Sequence, residues 1–438
     1  MKILSREEAQ QLLKKVLGYS KAEGCEASLN GSTQGNIRYA RNTATTAGSV
    51  SDQNLAVQSN YGFKQGVATI NEFDDASLEK VVRRSEALAK LAPKNPEFMP
   101  ILGPQKYEKV NAYFESTARI TPQYRAQAAA HSIEPSRKKD LVAAGFFIDQ
   151  HGFQAMANTS GLFAYHRSTG CEFTVTVRTS DATGSGYAIR DYNDVDLLDT
   201  GVASQIAIQK AEGSRDAKAI EPGKYTVILE PAASSGLLQS MLFNFSARRA
   251  DEGRSFLSKK DGGTKKGEKL FGEEVTLYSD PTHAVVPASP WAGDGQRRER
   301  VVWIEKGVVK NLFYSRYWAK KMETDPVPFP ANGIMEGGDA SLKDLIKDTK
   351  NGILITRTWY IRTVDPQTLL YTGLTRDGNF LIKNGKIAHP VKNMRFNESP
   401  VKMLNNIEAL GRPVRINGNM IPPMRIREFE FTSGSDAV

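Results

Sequence analysis

The chain has 438 residues, 40% of them hydrophobic and 24% charged, and a formal net charge of +9. That length predicts two or three domains of roughly 100–200 residues, and the composition is that of a soluble globular protein with enough apolar side chains for real cores. No run approaches the ~20 apolar residues that a bilayer span needs, and MKILSREEAQQLLKKVLGYSK lacks the apolar region and cleavage site of a secretory signal, so a cytoplasmic location is expected.

Ser5 and Glu8 form an S-x-x-E capping box, and Ala9, Leu12, Leu13, Val16 and Leu17 follow at helical spacing. They predict a first helix. CEASLNGST, GNIRYARN and NLAVQSNYGFKQGVATINEF alternate apolar and polar residues and predict strands. ASLEKVVRRSEALAKLA predicts a second helix with Asp75 as its cap. Four prolines in PKNPEFMPILGPQKY predict a long surface connection. Pro122 suits the first turn of a third helix in TPQYRAQAAAHSI. DLVAAGFFID, FQAMANTSG, LFAYHRS and CEFTVTVRTS then read as four strand-like runs, with a hairpin turn at His151-Gly152. GVASQIAIQKAEGS predicts a fourth helix.

The order helix, strands, helix thus occurs twice before Pro222 and Gly223. It predicts an α+β domain of two related halves over residues 1–221. Residues 222–438 read differently. YTVILE, EEVTLYSD, RVVWIEKG, GILITRTWYI, NFLIKNGKIAH and RIREFEF predict short strands, and only a few helices intervene, in SRYWAKKM, ASLKDLIKD and SPVKMLNNIEALG. The expectation is a β-rich, barrel-like domain with a few helices packed outside it.

Local chemistry is sparse. The two cysteines, Cys25 and Cys171, stand in no motif, which fits a reducing compartment. No two of the five histidines lie three to five residues apart, so there is no local His-x-x-His metal pair. SKKDGGTKKGEK, residues 258–269, is the densest basic run and holds no aromatic residue. It reads as a solvated loop and not as a nucleic-acid site. Gly262 and Gly267 have phosphate-loop spacing, but Glu268 stands where the lysine must be and would repel phosphate.

SSGLLQSMLFNFSARR follows the strand YTVILE. Ser234 or Ser235 can cap a helix there. Leu237, Met241 and Phe245 make one stripe, which Leu238 and Leu242 widen. A face this broad is expected to be buried.

The blocks GLLQSMLFNFSARRADEGRSFL, SPWAGDGQRRERVVWIEKGVVKNLFYSRYWAKKM and FLIKNGKIAHPVKNMRFNESPVKMLNNIEALG resemble, in that order, the TldD/PmbA family. In layout the resemblance covers essentially the whole chain. These proteins were first called modulators of DNA gyrase and are regarded as metallopeptidase subunits. In the TldD branch the corresponding helix carries H-E-x-x-x-H, whose histidines bind a metal and whose glutamate activates its water, and a later cysteine completes the site. Laid on that motif, Ser240 takes the first His position, Met241 the Glu position and Phe245 the second His position. A one-residue slip restores nothing, because no His, Glu or Asp lies between Gly236 and Arg249, and no cysteine follows Cys171. The resemblance is therefore to the PmbA (TldE) branch.

That resemblance implies a non-catalytic subunit without a metal of its own. Its partner would be a TldD-type subunit carrying zinc, in a heterodimer, with a homodimer as the form of the chain alone. It also implies dimerisation through the C-terminal domains around a closed chamber that admits peptides and unfolded polypeptides. Arg248, Arg249, Arg254 and Tyr317 are the candidate substrate contacts, since such side chains bind peptides well, and surface ion pairs are the competing role. Trp291 and Asp294 sit in a Gly-rich loop that could approach the chamber, and TRTWYIRT departs from a stretch that is Gly-rich in the family. Two rival readings remain. One is a self-sufficient hydrolase using His283, His389, Asp294 and Glu398. The other is a nucleic-acid or gyrase-associated regulator, for which no helix-turn-helix, zinc-finger or RNA-binding motif is present.

Overall fold

The reciprocal box at the N-terminus forms as read. Ser5 Oγ accepts the Glu8 N–H at 3.1 Å and the Glu8 carboxylate accepts the Ser5 N–H at 2.8 Å, opening α1 (Arg6–Gly18). The structure is a computed structural model and describes residues 3–435. After α1 come β1 (Gly24–Ala40), β2 (Thr43–Tyr61), β3 (Lys64–Ile70) and α2 (Asp75–Leu91). The cap of α2 is Asp74 and not Asp75: Asp74 Oδ1 accepts the Ser77 N–H at 3.0 Å, while Asp75 is already helical and pairs with Lys15. The proline-rich connection leads into the one-turn helix α3 (Glu115–Ala118) and then α4 (Pro122–Lys138), capped by Thr121 with proline in its first turn.

The four strand-like runs that follow are two long strands, β4 (Leu141–Asn158) and β5 (Phe163–Thr179). His151 and Gly152 do not turn. Gly152 pairs with Ser32 on one side and Ser168 on the other. A Cβ on Gly152 would lie 2.6 Å from the Gly31 carbonyl oxygen, so this glycine marks a close approach of neighbouring strands. β6 (Ser185–Tyr192) and α5 (Thr200–Gly213) complete the half.

The sheet order is β3-β2-β1-β4-β5-β6, antiparallel throughout. Each half contributes a helix, two long strands, a short edge strand and a second helix. Directly opposed residues share a face. One face is apolar: Cys25, Ala27, Leu29, Leu55, Val57 and Ala155 pack with residues of α1 and α2, and Ile37, Tyr39, Phe147, Phe173 and Val175 pack with residues of α4 and α5. The other face carries no helix of this domain.

The two halves also share a packing device. A Cβ on Gly66 of β3 would lie 2.2 Å from the Ala89 nitrogen of α2, and one on Gly186 of β6 would lie 2.1 Å from the Ala207 carbonyl of α5. Each edge strand lets a helix backbone rest directly on it. Gly66→Ala and Gly186→Ala are each expected to lower stability by about 1–3 kcal/mol, because the contact atoms are backbone and cannot swing away. A fall in the urea midpoint at unchanged slope would check this.

The second part of the chain starts with β7 (Gly223–Leu229), α6 (Pro231–Phe243) and α7 (Ala247–Asp251). Five strands close a barrel: β7, Asn351–Asp365, Leu370–Lys383, Asn393–Glu398 and Met424–Ser435. Closure comes from pairing of Asn351–Asp365 with β7 on one side and with Leu370–Lys383 on the other. A further six-stranded sheet of short strands lies beside it. The largest core gathers here, around Trp303, Phe396, Phe429 and Phe431. Short helices flank it, among them Arg316–Lys321, Leu342–Lys347 and Pro400–Asn405, so the mixed α+β class and the barrel follow the sequence reading. Among the described residues no helix is long and apolar enough to cross a membrane.

The two parts are tied by polar contacts. Arg415 Nε lies 2.9 Å from Asp191, whose carboxylate also accepts the N–H groups of Asn417 and Gly418. Ser185 Oγ donates to buried Asp377 at 2.6 Å, and Lys210 makes a two-pronged pair with Glu230 at 2.7 and 2.8 Å.

Candidate functional site

β7 feeds straight into α6, the helix on which the sequence reading turns. It begins earlier than a serine cap allows. Glu230 is the N-cap and Pro231 stands in the first turn, while Ser234 and Ser235 lie buried inside the helix. Proline is ready for that position because its φ is already helical and its missing N–H is not needed there.

Most of the helix surface is apolar and enclosed. Leu237 and Met241 are fully buried, and Phe245, two residues past the helix end at Phe243, is 1% exposed and packs against Phe256 with ring centroids 5.9 Å apart. A polar strip runs through Gly236, Ser240 and Asn244. Ser240 Oγ donates to the Gly236 carbonyl at 2.8 Å. Asn244 Nδ2 donates to the Ser240 carbonyl at 2.8 Å and lies 3.5 Å from the Tyr371 hydroxyl, and Asn244 Oδ1 accepts from Arg249 at 3.1 Å. Burial pushes the Tyr371 phenol above its ordinary value, against the hydrogen bonds it can make with Ser240, Thr363 and Asn244. These are groups that bind and orient.

A zinc centre needs imidazole, thiolate or carboxylate donors converging at about 2 Å from the ion. The motif positions offer a hydroxyl committed to its own helix, a core methionine and a core phenylalanine. They do not fit a metal. Among the described residues no cluster of three or more His, Cys, Asp or Glu is placed to hold one. The residues of the hydrolase alternative are engaged separately. His283 Nδ1 accepts the N–H groups of Val285 and Val286, His389 lies against the Pro390 carbonyl, Asp294 accepts from Gln296, and Glu398 accepts the N–H groups of Ser399 and Glu430.

The four proposed contact residues divide. Arg248 makes a two-pronged pair with Glu97 of the proline-rich connection at 2.8 and 2.9 Å, a second pair with Glu252 at 3.0 Å, and lies over the Trp318 ring at 5.2 Å. Arg254 pairs with Glu252, and Arg249 is exposed beside the end of α6. Tyr317 lines a cavity of about 370 Å³ where β1, the proline-rich connection and the Gly-rich loop meet, with Glu26, Glu97, Asp294 and Arg316. The structure therefore links Arg248 to Tyr317 through Glu97 and leaves Arg249 and Arg254 outside that cavity. Burial pushes the Glu26 carboxyl up to about 7, with Asp294 adding to the shift and Asn158 and Arg316 opposing it. Sequence reading missed Glu26 and Glu97. One is a polar position in an alternating strand and the other one acid in a proline-rich run, and neither pattern signals a cavity.

His166 is the most perturbed histidine of this region. It is 8% exposed and set edge-on to Trp291, and burial pulls its imidazole down to about 4. The folded chain keeps it neutral while the unfolded chain takes up a proton near pH 6.5. Stability is thus lost as pH falls from about 6.5 to about 4, by up to about 3 kcal/mol from this group. His166→Gln is expected to lose less stability than the parent between pH 7 and pH 4.5, read from urea unfolding at both.

Sequence profiles of the PmbA/TldA metallopeptidase match three successive stretches: domain 1 at residues 25–89, the central domain at residues 118–215 and the C-terminal domain at residues 222–433. A metalloprotease of Methanothermobacter thermautotrophicus is 24% identical over 301 residues, an alignment that covers 62% of each chain. A metalloprotease TldD homolog of Buchnera aphidicola is 26% identical over 168 residues, 35% of this chain and 34% of its own. TldE of Thermococcus kodakarensis superposes with a TM-score of 0.86 at 17% identity, covering 98% of this chain and 100% of its own. A Bacteroides thetaiotaomicron protein named for modulation of DNA gyrase superposes with a TM-score of 0.84 at 22% identity, covering 98% of both chains.

Proposed function

Because the chain belongs to the PmbA/TldA metallopeptidase family, we propose that it is the non-catalytic, TldE-like subunit of a metallopeptidase that trims or degrades peptides and unfolded polypeptides. One observation carries the reading. At the positions of the family's base and second imidazole, Met241 and Phe245 are 0% and 1% exposed inside the core. Chemistry has been replaced by packing, while the fold around it is retained.

In this reading the zinc belongs to a TldD-type partner, and the two subunits enclose a chamber for extended chains. This chain helps to close the chamber and binds substrate. Tyr317 and the exposed guanidinium groups of Arg249 and Arg254 are its available contacts. Arg248 holds the connection against α7 through Glu97 and has less to offer a peptide. Two buried free thiols suit a reducing, cytoplasmic setting.

The test is metal analysis and peptide hydrolysis on this chain alone and on the chain co-expressed with the H-E-x-x-x-H homologue of its own organism. Alone, it is expected to hold no stoichiometric zinc and to cleave nothing. Together, a 1:1 complex with zinc and hydrolysis is expected. Stoichiometric metal with cleavage by this chain alone would overturn the reading.

A further inference from the structure

The chain is basic overall, yet the helix-free face of its N-terminal sheet is not. Strand register places Asn30 opposite both Asn54 and Gln154, Ser32 opposite Asp52, and Ile148 opposite Glu172. Gln150 lies on the same face, opposite Gln34. Two cavities of about 310 and 550 Å³ lie along this face and share Gln150, Gln154 and Ser168. They form one trough. At its far end it meets the C-terminal part at Arg415. At its near end it is open, since β3 stops opposite Leu55 and leaves Asp52 and Asn54 at an unpaired edge of β2.

The charges of the trough are unbalanced. Arg415 is matched by Asp191, and Asp149, which belongs to the helix-covered face, is matched there by Arg125. Asp52 and Glu172 have no cation against them among the described residues. Burial and the neighbouring Asp191 charge push the Glu172 carboxyl upward, a penalty that a bound cation would relieve. The amides of Asn30, Asn54, Gln150 and Gln154 make no hydrogen bond within the described residues. Each offers a donor and an acceptor, the pair that a peptide group requires.

We propose that this trough binds an extended polypeptide segment with basic side chains, the amides of Asn30, Asn54, Gln150 and Gln154 holding its backbone and Asp52 and Glu172 selecting Lys or Arg. The proposal rests on the peptide-processing reading and names the class of peptide. Strands spaced ~4.8 Å apart with ~3.4 Å per residue put the two carboxylates roughly 19 Å apart, about six residues of extended chain. An even spacing of that kind returns both cations to the same side of the bound strand.

The test uses the intact chain alone and reads binding by fluorescence anisotropy. The probes are two labelled peptides of equal length rich in Ser, Thr and Val, one with two lysines about six residues apart and one with glutamates in their place. The lysine peptide is expected to bind at least about tenfold more tightly, with an advantage that shrinks as salt is raised. Asp52→Asn with Glu172→Gln should abolish the preference, and Asn30→Ala with Gln154→Ala should weaken both peptides. Asn30, Asp52 and Gln154 are exposed and Glu172 is half-buried on a face without helices, so circular dichroism and the urea midpoint should stay near the parent's. Equal binding of both peptides, or a preference that survives removal of both carboxylates, overturns the proposal. Neither result touches the subunit reading, which stands or falls on co-purification and metal content.

Discussion

Met241→Glu is expected to cost more than about 4 kcal/mol and to leave little folded protein. The side chain is fully buried in the core that also holds Leu237, Phe245 and Trp303. An ionised carboxylate there would lack a cation, and a protonated one would lack a hydrogen-bond partner. Phe245→His adds a lost aromatic contact, for which about 3–5 kcal/mol is usual when a buried Phe is truncated. The triple variant Ser240→His, Met241→Glu, Phe245→His therefore restores the family motif in sequence only. It is expected to aggregate, and added zinc should not raise its urea midpoint. A triple variant that folded near the parent's midpoint with one zinc per chain would show that the helix surroundings still form a metal site.

Arg125→Ala is expected to cost about 3–5 kcal/mol, because it strands a buried charge. Arg125 reaches from α4 to Asp149 of β4, with Nε to Oδ1 at 2.6 Å and Nη2 to Oδ2 at 2.9 Å. Arg125 is 8% exposed and Asp149 3%. The path exists only because residue 35 has no side chain: a Cβ on Gly35 would lie 1.7 Å from Arg125 Nη2. Gly35→Ala must displace the guanidinium and should fall in the same range. The double variant Arg125→Ala, Asp149→Ala should lose less than the sum of its parts, since the charge pair leaves together. Urea unfolding of the two singles and the double checks all three expectations. Additive losses would mean that the two groups act independently.

Local rules were legible at most helix starts, although the cap of α2 fell one residue earlier than read, at Asp74. The Ser5–Glu8 box and the Thr121–Pro122 helix start depend on residues within four positions of each other. The broad apolar face of α6 was equally plain, and the resemblance to the family motif showed which metal donors it lacks. Errors came where neighbours far away in sequence decide. His151-Gly152 resembles a turn in isolation, but Ser32 and Ser168 on either side hold it extended. The serine cap of α6 yielded to Glu230, with Pro231 in the first turn, because β7 delivers the chain there already in the sheet.

The sequence by itself determined that residues 1–221 repeat one order of elements, that the rest is β-rich, and that Ser240, Met241 and Phe245 cannot form the family's metal site. The first two conclusions rest on residue identity and short-range periodicity, which need no partner to be read, and the third on the family resemblance, which supplies the motif that these residues do not match. The tertiary structure alone decided that the barrel closes, that Gly35 makes room for an ion pair between α4 and the sheet, that Glu97 joins Arg248 to the Tyr317 cavity, and that amides from three strands line one trough. Each of these depends on strand register or on contacts between residues tens to hundreds of positions apart. A one-residue shift in register would turn the trough amides and the Gly35 gap to the opposite face.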